Sequence, residues 1–265
     1  MLKNVLVKTL RDKRKSFIWW SVGVLFLTIW YNTMFTAIGD IDMSGFNQMM
    51  ESELMKGLFG GAYDLTTPEG WLGVELLSLL GPLVFIVFGV SFATSTLTGE
   101  EEKGTLNLLL TNPITRVSVY LQKFSAMTVG TLALGLVFWI GNIIGTSAAN
   151  MDLSFLSLAE VTFSLFLLGL LFGTFALALG GATGKGGLSK GVASAVGITS
   201  YLLNSMSEIV GSLEPFRPVS VFHYYGGGDI LRTGIDFFDV GILVAGTVAL
   251  FAIGMYGFQR RDIGT

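Results

Sequence analysis

The feature that most constrains this chain is its supply of long, nearly uncharged apolar segments. A helix needs about 20 consecutive, mostly apolar residues to cross a bilayer. Six segments meet that need, at about 17–38, 71–97, 119–147, 155–182, 191–211 and 237–258. Of the 265 residues, 51% are hydrophobic and only 13% are charged, against roughly 25% charged in an ordinary soluble domain. The runs are continuous rather than alternating, which excludes an outer-membrane barrel. The expected fold is an all-α polytopic membrane protein with six transmembrane helices, forming a single domain over residues 1–265.

The first apolar run is too long for a cleavable signal peptide, and no small-x-small site follows it; it reads as a retained span. Ahead of it, Leu2, Val5, Leu6 and Leu10 recur at helical spacing among Lys3, Lys8 and Arg11. That pattern predicts an amphipathic interfacial helix over 1–16, with its apolar face in lipid. Within the second span, Gly81-Pro82 predicts a kink. Glycine pairs such as Gly169 with Gly173, and Gly130 with Gly135, predict close helix packing.

Lysines and arginines set the orientation. With the N-terminus in the cytoplasm, the inner segments hold 13 of them and the outer segments only Lys56, Arg217 and Arg232. The positive-inside rule therefore places both termini in the cytoplasm. Asp40, Asp42, Glu51, Glu53, Asp64 and Glu69 then fall in the first outer loop.

This orientation makes a second feature cytoplasmic: Gly99-Glu-Glu-Glu-Lys-Gly-Thr-Leu-Asn-Leu-Leu-Leu-Thr-Asn-Pro-Ile-Thr-Arg116. Glu100, Glu101 and Glu102 favour the positive end of a helix. Leu106, Leu109 and Leu110 share one face, and such a face in water wants a partner. Asn112 is a good N-cap and Pro113 suits a first helical position, so one helix is expected over 100–110 and a new one from Pro113.

This segment, with the Tyr120-Leu-Gln-Lys-Phe124 that follows and Leu65-Thr-Thr-Pro-Glu-Gly-Trp-Leu-Gly-Val-Glu75 upstream, resembles the ABC-2 type transporter permeases. The resemblance extends to the whole architecture. It implies that 99–116 is a coupling segment docking on a separate cytoplasmic ATPase, with Glu100, Glu101, Glu102, Thr105, Leu106, Leu109, Leu110, Asn112, Pro113 and Arg116 as its residues. It further implies two ATPase copies and two permeases, as a homodimer or a heterodimer with a related permease, in a prokaryotic plasma membrane. ATP and Mg would be bound by the ATPase and no cofactor by this chain. Membrane lipid is an expected contact and nucleic acid is not.

Other sites are weaker. Gly180-Gly-Ala-Thr-Gly-Lys-Gly-Gly187 superficially suggests a phosphate loop, but that pattern needs a glycine where Leu179 stands and Ser or Thr where Gly186 stands. It reads as a flexible basic loop. With no recognisable nucleotide site, any ATP dependence comes from a partner. The absence of cysteine excludes disulfides, thiolate metal sites and cysteine nucleophiles, and the single His223 excludes a multi-histidine centre. No nucleophile–base pair is present, so the chain is not expected to be an enzyme by itself. Glu75, Glu160 and Glu208 lie toward the outer ends of spans, and ionisable residues there are transport candidates. Asn32, Asn142 and Asn204 are also in or near spans, where helix-to-helix hydrogen bonding is the commoner use. The possible pathway set is Glu75, Asn32, Asn142, Asn204 and Glu208. The expected function is the permease subunit of an ATP-driven exporter, with a small amphiphilic or lipid-like cargo suggested by the low charge of the spans. The alternative is a membrane scaffold that recruits a cytoplasmic partner without transporting. A secondary transporter fits less well, because charged or discontinuous helices near mid-membrane are weak here.

Overall fold

A computed structural model describes residues 4–38, 45, 48–49, 52, 55, 64–110, 113–207 and 209–262. Every regular element among them is helical. The elements are α1 (Val5–Ile38), α2 (Pro68–Trp71), a π-helical stretch (Leu72–Leu80), α3 (Gly81–Thr96), α4 (Thr98–Glu102), α5 (Thr105–Leu110), α6 (Arg116–Ala148), α7 (Phe155–Thr183), α8 (Gly186–Ser207), three 3₁₀ turns (Glu214–Val219, Val221–Tyr224, Gly227–Asp229), α9 (Ile230–Thr233) and α10 (Phe237–Arg260).

The bundle is organised around α7, which packs against α3, α10, α6 and α8, while α1 lies chiefly along α6. α7 is apolar on every side, and such a helix belongs in the middle of a bundle. Its glycines let neighbours approach. A Cβ added at Gly169 would lie 2.8 Å from the Phe85 carbonyl oxygen, and one at Gly173 2.8 Å from the Met127 sulfur. The close packing expected at this glycine pair is therefore present. Gly130 is also tight, with Phe92 at 3.0 Å, whereas a Cβ at Gly135 would meet only ordinary contacts.

Among the described residues, five helical runs are long and apolar enough to cross a membrane: Val5–Ala37, Pro68–Glu102, Arg116–Ala148, Phe155–Thr183 and Phe237–Arg260. The expected fifth span, 191–211, corresponds to α8. This helix has 22 residues and ends at Ser207, but its serines, glycines and Lys190 dilute its apolar character, so it falls outside that group.

The expected interfacial helix over 1–16 is not set off from the first span by a break. The amphipathic segment and the first span form one 34-residue helix, α1, because nothing around Ser16-Phe17 breaks a helix. Val5 is 1% exposed, and Leu6 and Leu10 pack against the core. The described part of the apolar face is thus used by the chain itself. The Leu6 amide donates to Gln122 Oε1 of α6 at 3.1 Å, giving one of the unpaired first-turn amides of α1 a partner.

Around Leu65–Glu75, Thr67 caps α2 by accepting from the Gly70 amide at 3.1 Å. Trp71 stacks on Tyr31 with ring centroids 5.1 Å apart. The Tyr31 hydroxyl donates to the Trp71 carbonyl at 2.9 Å, and the Trp71 indole to the Tyr31 carbonyl at 3.1 Å. Before Gly81-Pro82, where a kink is expected, lies a nine-residue π stretch. The Gly81 amide still donates to Leu76 in π register; Pro82 has no amide to continue it, and the helix resumes as α. The expected outer-loop acids Asp40, Asp42, Glu51 and Glu53 lie outside the described residues.

Candidate functional site

Residues 98–110 and 113–116 form an elbow at the end of the bundle that carries Val5 and Arg260. Its expected single helix over 100–110 is corrected to two short ones. Gly104 adopts φ +70°, the left-handed conformation that commonly ends a helix, and its amide closes on the Glu101 carbonyl at 2.8 Å. α5 then begins at Thr105, whose hydroxyl donates to the Glu100 carbonyl at 3.0 Å. The next helix starts at Arg116, not Pro113. Its N-cap is Thr115, whose hydroxyl accepts from the Ser118 amide at 3.2 Å. Pro113 sits exposed in the bend before it, and Asn112 lies outside the described residues.

The apolar face is also corrected. Leu106 is 0% exposed and Leu109 4%, so both belong to the chain's own core rather than to a surface awaiting a partner. The Leu110 side chain lies outside the described residues. Among the described side chains of α4, α5 and the link between them, the exposed ones are polar: Glu102, Lys103, Thr105 and Asn107.

The acidic triplet divides its work. Glu100 Oε2 pairs with Lys123 Nζ at 2.7 Å, and Glu100 Oε1 with Lys8 Nζ at 3.5 Å. Lys123 is wholly buried on α6 and also donates to the Thr96 carbonyl at the end of α3, a carbonyl beyond the reach of that helix's own amides. A buried cation is tolerated only with such partners. Glu101 pairs with Arg261 at 2.5 Å. Arg116 donates to the Gln259 carbonyl at 3.2 Å and to the Arg261 carbonyl. Only Glu102 of the three is exposed. The elbow is thereby fastened to α1, α3, α6, the end of α10 and Arg261 just after it.

Of the candidate pathway residues, the structure brings together Asn32 and Asn142. Asn32 and Asn142 are buried and bonded to each other, Nδ2 to Oδ1, at 3.0 Å. Asn32 also donates to the Thr28 carbonyl at 2.7 Å, and Asn142 to that of Phe138 at 2.9 Å. They join α1 to α6. Glu75 is exposed on the π stretch, and Glu208 lies outside the described residues. The glycine-rich basic loop is a tight link between α7 and α8, in which Gly184 (φ +71°) caps α7.

Among the described pathway candidates, Asn204 alone lines the cavity at this site. At the end of the bundle away from the elbow, a space of about 330 Å³ lies among α7, α8, the start of α10 and the segment 217–236. That segment is pinned down. Ser164 donates to the Tyr225 carbonyl at 2.6 Å, the Tyr225 hydroxyl to the Leu77 carbonyl at 2.8 Å, and Ser220 to the Ser200 carbonyl at 2.6 Å. Into the space face Tyr201, Tyr224, Arg217, Asp229 and Asp239. Arg217 Nε donates to Asn204 Oδ1 at 3.4 Å.

A family model described as ABC-2 family transporter protein matches residues 3–263, spanning both the elbow and the cavity. The chain belongs to the ABC-2 transporter family. It is therefore a multi-pass membrane permease, the membrane part of an ABC transporter. No curated protein matches the sequence.

In this permease the elbow was legible as a motif, whereas the cavity was not. Its charged groups, Arg217, Asp229 and Asp239, are scattered through a polar stretch and a helix start. The available signal was Gly226-Gly227, both at positive φ, which folds the segment back onto the bundle. His223 lines the same space. Burial, with Arg217 nearby, lowers its pKa below the usual histidine value, against a smaller opposing pull from Asp239.

Proposed function

We propose that this permease is the transmembrane subunit of an ATP-driven exporter, driven by a separate cytoplasmic ATPase that binds ATP and Mg. The observation that carries the reading is the elbow: a stretch fastened by ion pairs, with Glu102, Lys103, Thr105 and Asn107 exposed, between two long apolar helices. A lever must be stiff where it joins the spans and wettable where it meets its partner. Buried Leu106 and Leu109, with the Glu100 and Glu101 ion pairs, supply the stiffness. Glu102, Lys103, Thr105 and Asn107 supply the docking face.

In this reading α8 is a sixth span and both termini are cytoplasmic, as the distribution of lysine and arginine favours. α8 leaves Ser194 and Thr199 exposed. Polar side chains at membrane depth are usually covered by another helix, which supports pairing with a second permease, identical or related. Two ATPases then act on two elbows in a prokaryotic plasma membrane. The cargo is a small amphiphile or lipid-like molecule, consistent with the low charge of the spans.

The test is co-expression of the permease with an ATPase encoded beside it. The two are expected to co-purify, and transport in liposomes is expected to require ATP and both chains. Co-purification without ATP-dependent transport would instead favour a scaffold.

A further inference from the structure

The cavity remote from the elbow has a composition that selects its ligand. Its carboxylates, Asp229, Asp236 and Asp239, outnumber its one arginine, Arg217, which already donates to Asn204. An anion is disfavoured there. Among the described residues, no three His, Asp or Glu side chains converge to hold a metal ion, so a small inorganic cation is poorly served. The space of about 330 Å³ is at the small end of the size of organic-ligand sites.

Two further observations narrow the class. Tyr201 and Tyr224 wall the space and are only half-buried; aromatic faces attract ammonium groups. Asp239 is half-buried and has Asp236 and His223 as its electrostatic neighbours, whereas Asp236 is engaged in capping α10 through the Phe238 amide at 2.8 Å. On the same turn, Phe237 is 83% exposed and Phe238 71%, at the start of a helix apolar enough to cross a membrane.

We propose that this cavity binds the head of a cationic amphiphile: an organic ammonium held by Asp239 against the faces of Tyr201 and Tyr224, with its hydrocarbon tail over Phe237 and Phe238 toward the bilayer. The inference rests on the exporter reading for its role as a cargo site, and names the class of that cargo.

The test measures equilibrium binding of labelled dodecyltrimethylammonium to the full chain in nanodiscs of uncharged galactolipid, after subtracting partition into empty nanodiscs. Dodecyl sulfate is the matched anion. Saturable binding of the ammonium is expected, weakened at least about tenfold by Asp239→Asn and unchanged by Asp152→Asn in a different turn. The sulfate is expected only to partition. Equal saturable binding of both amphiphiles, no saturable binding of the ammonium, or an Asp239→Asn chain that binds like the parent would overturn the proposal. If a melting curve shows that Asp239→Asn is unfolded, Tyr224→Leu replaces it under the same criterion. No ATPase is present in this assay. Failure of an ATPase to associate would therefore defeat the exporter reading and leave this result standing.

Discussion

Lys123 and Glu100 form an ion pair of 2.7 Å, with the lysine side chain fully buried and the carboxylate 16% exposed. It joins α6 directly to α4, the first helix of the elbow. Removing one member of a buried pair strands the other, at a cost of about 3–5 kcal/mol. Glu100→Gln is therefore expected to lower the thermal unfolding midpoint in detergent sharply. Lys123→Met combined with Glu100→Gln should recover part of that loss, because no charge is then left stranded. Strictly additive losses would show that the pair is not coupled.

Leu106 and Leu109 are core residues, and this changes what their substitution reports. Leu106→Ala should destabilise the permease by about 2–5 kcal/mol, measured as a lower unfolding midpoint and reduced yield. Glu102→Lys, on the exposed face, should leave the midpoint within about 0.5 kcal/mol of the parent while weakening capture of the ATPase. A Leu106→Ala chain of full stability would contradict the burial.

The α3–α7 crossing depends on Gly169. A Cβ there meets the Phe85 backbone, which cannot swing aside as a side chain can. Gly169→Val should cost about 1–3 kcal/mol or more through overpacking, while Gly23→Val, where a Cβ meets nothing within 4 Å, should cost much less. Unfolding midpoints of the two variants check this.

His223 gives a pH dependence of defined sign. Its folded pKa lies below the unfolded value of about 6.5, so the folded state binds fewer protons than the unfolded one between those values. Stability is fully present above about pH 6.5 and is lost as pH falls toward and through the folded value. The unfolding midpoint should drop on acidification through this window, and His223→Gln should flatten that part of the profile. An unchanged profile in the variant would assign the loss to other groups.

The sequence exposed the apolar runs and the elbow because both are local patterns. Three features were hidden for physical reasons. An amphipathic leucine face reads the same whether it is covered by its own chain or by another, so the burial of Leu106 and Leu109 was not visible. The break at Gly104 depends on a left-handed φ that glycine permits but does not announce. The cavity brings together Tyr201, Arg217 and Asp239, which have no shared spacing and meet only because Ser164 and Ser200 of neighbouring helices hold the intervening segment in place.

The central claim is that the exposed face of the elbow contacts an ATPase. The chain contains no cysteine, so a single one can be introduced and labelled cleanly. Asn107→Cys carrying a photoactivatable crosslinker, in permease co-purified with the neighbouring ATPase, should crosslink to that ATPase, while Phe237→Cys at the opposite end should not. Crosslinking from Phe237→Cys, or none from Asn107→Cys in an intact complex, would contradict the account.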